Sequence, residues 1–151
     1  MNRIDQLVRE KVAAASVDTL LKELVGEKYR LMIAYVNYGD QIRCFERDGI
    51  HSHFQTHIEE ERELAYELAK HLTALGEDAP AKVPDVKEVK LDHPRDVFEE
   101  LQKMEERSVE LWNKLFKETE GEDVALNGLA QEGAVKDQQH VDDMKRYLRT
   151  K

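Results

Sequence analysis

The sequence has few of the residues that build sulfur-ligated or nucleic-acid-binding structures. Cys44 is the one cysteine in 151 residues. A disulfide within the chain is therefore excluded, as is a zinc, rubredoxin or iron–sulfur site built from cysteines of one chain. Basic residues are also in deficit, with 23 Lys and Arg against 32 Asp and Glu and a net charge of −9. We therefore expect no general nucleic-acid binding.

Long apolar runs are missing as well. The first ten residues are too polar for the apolar stretch of a signal peptide, and no segment approaches a membrane span. We therefore predict a soluble, cytoplasmic protein with no membrane partner. Since one domain typically takes ~100–200 residues, we predict a single domain over residues 1–151.

Proline is rare and confined to one stretch. Pro80, Pro84 and Pro94 are the three prolines of the chain, so the remainder is free to be helical. Gly76 and Gly121 lie where a helix should stop or a turn should form. Apolar spacing predicts a short helix at about residues 3–14, within an N-terminal extension over residues 1–17. It also predicts four long helices, at about residues 18–42, 48–75, 94–118 and 123–149.

The segment over residues 77–93 is predicted to be an extended crossover. About 16 extended residues reach ~50 Å, whereas a helix of ~24 residues is ~36 Å long. The second and third long helices can therefore run parallel. The fold class that follows is all-α: an antiparallel four-helix bundle made of two hairpins joined by one long crossover.

One carboxylate interrupts the apolar stripe of each long helix. These residues are Glu27, Glu61, Glu105 and Asp137, and all four occupy positions that should face the core. Glu105 and Asp137 are equally far along the chain from Gly121, and Glu27 and Glu61 are equally far from the middle of the first turn. In antiparallel hairpins such residues face each other, so we predict that all four acids share one layer.

Four acids in one core layer need a compensating partner. Isolated ionised carboxylates would cost several kcal/mol each in a core, so they must be protonated, paired with cations or bound to metal. A single acid of this kind is more often a solvated boundary residue, but four together favour metal. Oxygen ligands with an imidazole suit iron or manganese, and a bundle interior can hold two ions bridged by carboxylates.

A stretch of helix 2 carries a family resemblance. It reads Glu60-Glu61-Arg62-Glu63-Leu64-Ala65 and continues to a helix end at Leu75-Gly76. The sequence over residues 18–149 resembles the ferritin-like superfamily, in particular the bacterioferritins, the ferritins and their short Dps-like relatives. The resemblance implies a ferritin-like fold, ferrous iron as substrate, oxidation by oxygen or peroxide as a ferroxidase would perform it, iron sequestration, and assembly as a homo-oligomer.

The resemblance also implies a role for each acid. By position, Glu27 would be the terminal ligand of metal site 1 and Glu105 that of site 2. Glu61 and Asp137 would bridge the two sites. His140, three residues after Asp137, would complete site 2. The implied cofactor is iron, one or two ions per chain, with manganese and zinc as alternatives.

Two departures from the family pattern change this expectation. Leu64 stands where the family has the histidine of site 1, so the centre is expected to be asymmetric. Bacterioferritin has its axial methionine at the position of Arg62, so no haem is expected. His57, one turn before Glu61, is one replacement for the lost ligand. The alternative is that His53 and His57 are ordinary polar residues of the first turns of helix 2.

A second function class remains open beside iron oxidation. A non-catalytic scaffold on the same fold, with a decayed or single-metal site, would also carry these residues. A single non-redox ion such as zinc or manganese at site 2 is a third interpretation. To separate this third interpretation from the other two, the identity of the metal is needed, and sequence does not specify it.

Overall fold

The residues that the structure describes form four long helices joined by irregular segments. A computed structural model describes residues 2–87, 90–91 and 93–149, without the side chains of residues 9–16. Its helices are α1 (Arg3–Asp40), α2 (Arg47–Ala74), α3 (Pro94–Thr119) and α4 (Val124–Arg149). These residues include no strand, which confirms the all-α class. None of the described helices is long and apolar enough to cross a membrane.

Helix α1 differs from the prediction of two separate helices at residues 3–14 and 18–42. It is one continuous helix of 38 residues. The residues at the expected break, Ala13 to Ser16, contain no glycine or proline, and alanine has the highest helix propensity, so nothing there ends the helix. The bounds of α2, α3 and α4 agree with the predicted bounds to within one residue.

Glycines end α2 and form the turn after α3, as predicted. Gly76 has a φ of 78° and Gly121 a φ of 75°, in the left-handed region that a side chain disfavours. The backbone N–H of Glu77 donates to the carbonyl of Leu72 at 2.9 Å, which closes the end of α2. The second hairpin turns tightly around Gly121 and leads directly into α4.

The crossover between α2 and α3 runs along α1. Near its beginning, Nζ of Lys22 lies 3.0 Å from Oε2 of Glu77. Further along, the hydroxyl of Tyr38 donates to the carbonyl of Lys87 at 3.0 Å. The chain thus travels along α1 from the end of α2 to the other end of the bundle before α3 begins.

Helices α2 and α3 start at the same end of the bundle. The rings of Phe54 in α2 and Phe98 in α3 have centroids 6.4 Å apart. Tyr147, near the end of α4, stacks on Phe98 with a centroid distance of 4.8 Å. Helices α2 and α3 therefore run parallel, and α4 runs against them. This is the bundle of two hairpins and one long crossover that the sequence predicts.

A polar layer divides the hydrophobic core into two clusters. One cluster is built around Leu24, Leu68 and Trp112. The other is built around Leu31, Phe54 and Leu101. The two halves meet at a level where buried polar side chains replace apolar ones in all four helices. That level positions the candidate site, because apolar side chains seal it from both ends.

Candidate metal centre

Four of the predicted ligands meet in this layer. The side chains are Glu61 of α2, Glu105 of α3, and Asp137 and His140 of α4, and one candidate ligand atom of each lies within 4.8 Å of the others. The three acids are 0% exposed and His140 is 2% exposed. The structure therefore brings together the residues proposed for site 2, including the two proposed bridging acids. Their assignment as metal ligands stays a prediction.

Lys28 occupies the part of the layer where Glu27 was expected. The Lys28 side chain is 0% exposed, and its Nζ lies 2.6 Å from Oε2 of Glu61. Nζ donates to Oγ of Ser108 at 2.7 Å and also to Oδ2 of Asp137. The ammonium group thus lies between the two acids that were predicted to bridge metal ions.

Glu27 lies outside this four-ligand cluster, although its side chain is also buried, with 5% of its surface exposed. Its Oε1 accepts from Nε of Arg107 at 3.1 Å and from Nη1 of Arg30 at 3.5 Å. Consecutive residues of an α-helix point ~100° apart, since a turn takes 3.6 residues. Glu27 and Lys28 therefore cannot both face the bundle axis, and Lys28 does.

The charge of Lys28 is held in place by its neighbours. Burial alone would lower its pKa, but the carboxylates of Asp137, Glu61 and Glu105 outweigh burial and hold the pKa of Lys28 above its usual value. A lysine in this setting stays protonated at neutral pH. The layer thus contains a permanent internal cation.

Asp137 is the most heavily bonded acid of the layer. Besides Lys28, its Oδ2 accepts from Oγ of Ser108 at 2.6 Å and from Nε1 of Trp112 at 2.7 Å. Burial would raise its pKa, but Lys28 in particular lowers the pKa of Asp137 to about 2. Oδ1 of Asp137 is buried and accepts no hydrogen bond. Asp137 is therefore ionised, with one oxygen left for a further partner.

His140 is the second cationic group of the layer. Its Nδ1 lies 3.0 Å from Oε1 of Glu61 and 3.0 Å from Oε1 of Glu105. Its Nε2 lies 3.1 Å from Oε2 of Glu60. Burial lowers the pKa, but Glu105, which is hydrogen-bonded to Nδ1, and the nearby Glu61 outweigh it and raise the pKa of His140 to about 11. The proton on Nδ1 therefore sits where a metal ion would bind this nitrogen.

Glu61 and Glu105 hold their protons more tightly than ordinary glutamates. Burial, followed by the nearby charge of Asp137, raises the pKa of both. The hydroxyl of Tyr35 donates to Oε1 of Glu105 at 2.6 Å, and burial raises the pKa of Tyr35 well above its usual value. Tyr35 therefore remains a donor that orients Glu105, while Oε2 of Glu105 is buried and accepts no hydrogen bond.

His57, the predicted replacement ligand, lies next to the layer but belongs to another cluster. Its ring stacks on that of His140 at a centroid distance of 4.1 Å. Its Nε2 points to Oδ2 of Asp143 at 3.1 Å. Leu64, the position at which the resemblance implies a histidine, is 4% exposed and packs in an apolar cluster.

Sequence reasoning missed Lys28 as a member of the layer and assigned no role to Tyr35, Ser108 or Trp112. A signal for Lys28 exists in the stripe of α1. Starting at Leu24, the core-facing residues follow in strict steps of four and three, at positions 28, 31, 35, 38 and 42. Lysine is almost never fully buried unless it is paired, so this spacing alone is a weak signal for a lysine in the core.

Comparison with known proteins supplies the family. A family model described as a ferritin-like domain matches residues 19–151. No curated protein matches the chain. Among solved structures, a ferritin-like diiron-carboxylate protein from Bacillus anthracis str. Ames is 17% identical, with a TM-score of 0.84 over 91% of this chain and 98% of that one.

Two further solved structures have the same fold at a similarly low sequence identity. Dps from Thermosynechococcus elongatus is 18% identical, with a TM-score of 0.83 over 93% of this chain and 94% of that one. A dodecameric thioferritin, the bacterioferritin-related protein from Bacteroides fragilis, is 16% identical, with a TM-score of 0.83 over 89% of this chain and 85% of that one. Because the ferritin-like domain model matches residues 19–151, which is most of this chain, the chain belongs to the ferritin-like family.

Proposed function

We propose that this protein binds ferrous iron in the polar layer, one ion per chain, and that Lys28 takes the place of a second ion. The ligands would be Glu61, Glu105, Asp137 and His140. The observation that carries this proposal is the convergence of three carboxylates and one imidazole around a buried lysine ammonium.

The donor set fits one iron ion. Oε2 of Glu105 and Oδ1 of Asp137 are buried and accept no hydrogen bond, a condition that is costly unless a further partner binds. Three oxygen donors and one nitrogen donor suit iron and also manganese. A metal ion at this point would displace the Nδ1 proton of His140, so metal binding and proton release are coupled.

Lys28 supports the inference of one ion and not two. In two-metal sites the ions lie ~3.5–4 Å apart and share bridging carboxylates. The Nζ atom of Lys28 lies between Glu61 and Asp137, the pair that would bridge. A second cation there would face both steric overlap and the charge of the ammonium. The asymmetry expected from Leu64 is thus supported by a second residue.

The proposed reaction is oxidation of the bound substrate. Each ferrous ion gives up one electron and becomes ferric, with oxygen or peroxide as the acceptor. With peroxide, two ferrous ions from two chains and two protons yield two ferric ions and two water molecules. Tyr35 holds Glu105 in position during this step, and apolar side chains on both sides of the layer exclude bulk water.

Assembly is part of the proposal. One similar structure is described as dodecameric, and we propose that this chain also forms a homo-oligomer that sequesters iron in the cytoplasm. The net charge of −9 would favour the approach of ferrous ions. Light scattering coupled to size-exclusion chromatography tests the assembly, since a monomer under all conditions would contradict it.

A scaffold without bound metal is the competing function, and Lys28 is also the observation that favours it. Lys28 and protonated His140 place two positive charges among the three acids. The layer is thus compatible with a folded bundle before any metal binds. The two functions predict different effects of iron on stability, since a ligand that binds only the native state raises stability. An iron-dependent rise in melting temperature supports the metal site, and indifference to iron supports the scaffold.

The direct test compares two adjacent glutamates of α3. Glu105→Gln removes a ligand of the layer, whereas Glu106→Gln changes an exposed residue that accepts from Gln102. Each full-length variant is loaded with ferrous iron without oxygen and desalted, and its iron is then counted. We expect Glu105→Gln to bind one ion per chain fewer than Glu106→Gln. Equal iron content in the two variants would overturn the assignment.

A further inference from the structure

A second cluster of metal-binding side chains lies outside the polar layer. His53 and His57 of α2 and Asp143 of α4 form it, with one candidate ligand atom from each within 4.8 Å of the others. We propose that these three side chains bind a divalent first-row transition-metal ion, with zinc as the reference ion. This proposal shares no ligand with the polar layer and does not rest on the function proposed for it.

The geometry suits a tetrahedral ion. Nε2 of His53 lies 3.3 Å and Nε2 of His57 lies 3.1 Å from Oδ2 of Asp143. With metal–ligand distances of ~2.0–2.1 Å, neighbouring ligands of a tetrahedral zinc ion are ~3.3 Å apart. The two histidines are one turn apart on the same helical face, a spacing that lets both imidazoles reach one ion.

The rings are already oriented for this role. Nδ1 of His53 is hydrogen-bonded to the hydroxyl of Tyr147, which leaves Nε2 directed at Asp143. A partner on the second ring nitrogen is the usual way a protein orients a metal-binding histidine. His57 is 1% exposed and stacks on His140, so its ring is held by packing.

The charges and donor atoms of the cluster suit a divalent cation. Asp143 supplies one carboxylate, and His53 and His57 supply two imidazole nitrogens. Metal binding to the imidazoles requires their neutral form, so the affinity of the site should fall at acidic pH.

The cluster is open to solvent on one side. The side chain of His53 is 36% exposed and that of Asp143 is 15% exposed, so an ion can enter from water and keep a water molecule as its fourth ligand. Arg146 also pairs with Asp143, and its own side chain is 70% exposed. An arriving cation can therefore replace Arg146 at this carboxylate without burying the guanidinium.

Zinc counting in a matched set of full-length variants tests the site. All variants carry Glu105→Gln, which weakens the polar layer, and are titrated with zinc chloride and desalted. His53→Ala removes one proposed ligand. His71→Ala is the control, because this half-buried histidine of the same helix lies outside both clusters. Circular dichroism verifies that each variant is folded.

We expect His53→Ala to bind one zinc ion per chain fewer than His71→Ala, and Asp143→Asn to show the same loss. Cobalt(II) added to the His71→Ala protein should give the visible absorption of a four-coordinate ion, absent with His53→Ala. Equal zinc counts, or a cobalt spectrum of the hydrated octahedral ion in both variants, would overturn the proposal and leave a purely hydrogen-bonded cluster. Failure of the polar layer is a separate outcome, seen as equal iron in Glu105→Gln and Glu106→Gln.

Discussion

The Nζ atom of Lys28 lies 2.6 Å from Oε2 of Glu61, and both side chains are completely buried. This contact places a cation among the buried acids of the layer. The ion pair explains how three acids tolerate burial in one layer, and we propose that it limits the number of metal ions that the layer can accept.

Lys28→Met should destabilise the protein before metal is added. The substitution keeps an unbranched side chain, one atom shorter, but leaves Glu61 and Asp137 without their cation, and breaking a buried pair in this way costs ~3–5 kcal/mol. Urea denaturation with a chelator present measures the free energy of unfolding. Lys22→Met on the same helix is the control, because the pair of Lys22 with Glu77 is well exposed. A similar free energy of unfolding for both variants would contradict the role given to Lys28.

A second core metal ion should require two changes. Leu64→His introduces the imidazole that the resemblance to the family implies at this position, but we expect it to leave the iron count unchanged while Lys28 remains. Leu64→His combined with Lys28→Met should bind one iron ion per chain more than Leu64→Met combined with Lys28→Met. If Leu64→His alone raises the iron count by one, the missing histidine and not Lys28 limits the site.

Asp137 should make the protein sensitive to acid. Lys28 lowers the pKa of Asp137 to about 2 from an ordinary value of 3.8. A lowered pKa stabilises the folded state above the ordinary value, and this contribution is lost as the pH falls from about 4 towards about 2. The loss should be on the order of 2 kcal/mol.

Comparison of two aspartates of α4 measures that contribution. Asp142→Asn changes an exposed residue that accepts from Gln138, so its unfolding free energy should fall with acid as in the unmodified protein. Asp137→Asn should show a shallower fall between pH 4 and pH 2. Parallel curves for the two variants would show that Asp137 has no such role.

Gly133 should tolerate no side chain, because Trp112 covers it. A Cβ atom on Gly133 would lie 2.3 Å from Cε2 of Trp112, the ring that donates to Asp137. Gly133→Ala should therefore shift Trp112 and cost ~1–3 kcal/mol by overpacking. Gly128→Ala in the same helix meets no atom within 4 Å and should stabilise the protein by ~0.5–1 kcal/mol. Fluorescence of Trp112 during denaturation reports both, and equal midpoints would contradict the packing argument.

The helix bounds and the topology followed from a few residues. Gly76, Gly121 and the clustered prolines mark where the helices end, and the length of the crossover predicts that α2 and α3 run parallel. The equal distances of Glu105 and Asp137 from Gly121 predicted their common layer. Such local and geometric signals do not depend on side-chain packing, which explains why they suffice for the fold.

The residue that α1 contributes to the polar layer could not be predicted in the same way. Glu27 and Lys28 differ by one position, which moves the midpoint with Glu61 by only half a residue, so hairpin symmetry does not separate them. Which of the two residues faces the core depends on whether three acids can stabilise a buried lysine, and that is a property of the assembled layer. The predicted break in α1 near Ser16 is wrong, because no glycine or proline lies there to end a helix.

The most direct test of the central claim is anomalous diffraction at the iron absorption edge from crystals grown with ferrous iron in the absence of oxygen. We predict a single iron peak in the polar layer, among Glu61, Glu105, Asp137 and His140, with Nζ of Lys28 still between Glu61 and Asp137. Two peaks bridged by Glu61 and Asp137, with Lys28 displaced, would contradict the account, as would a layer that contains no iron.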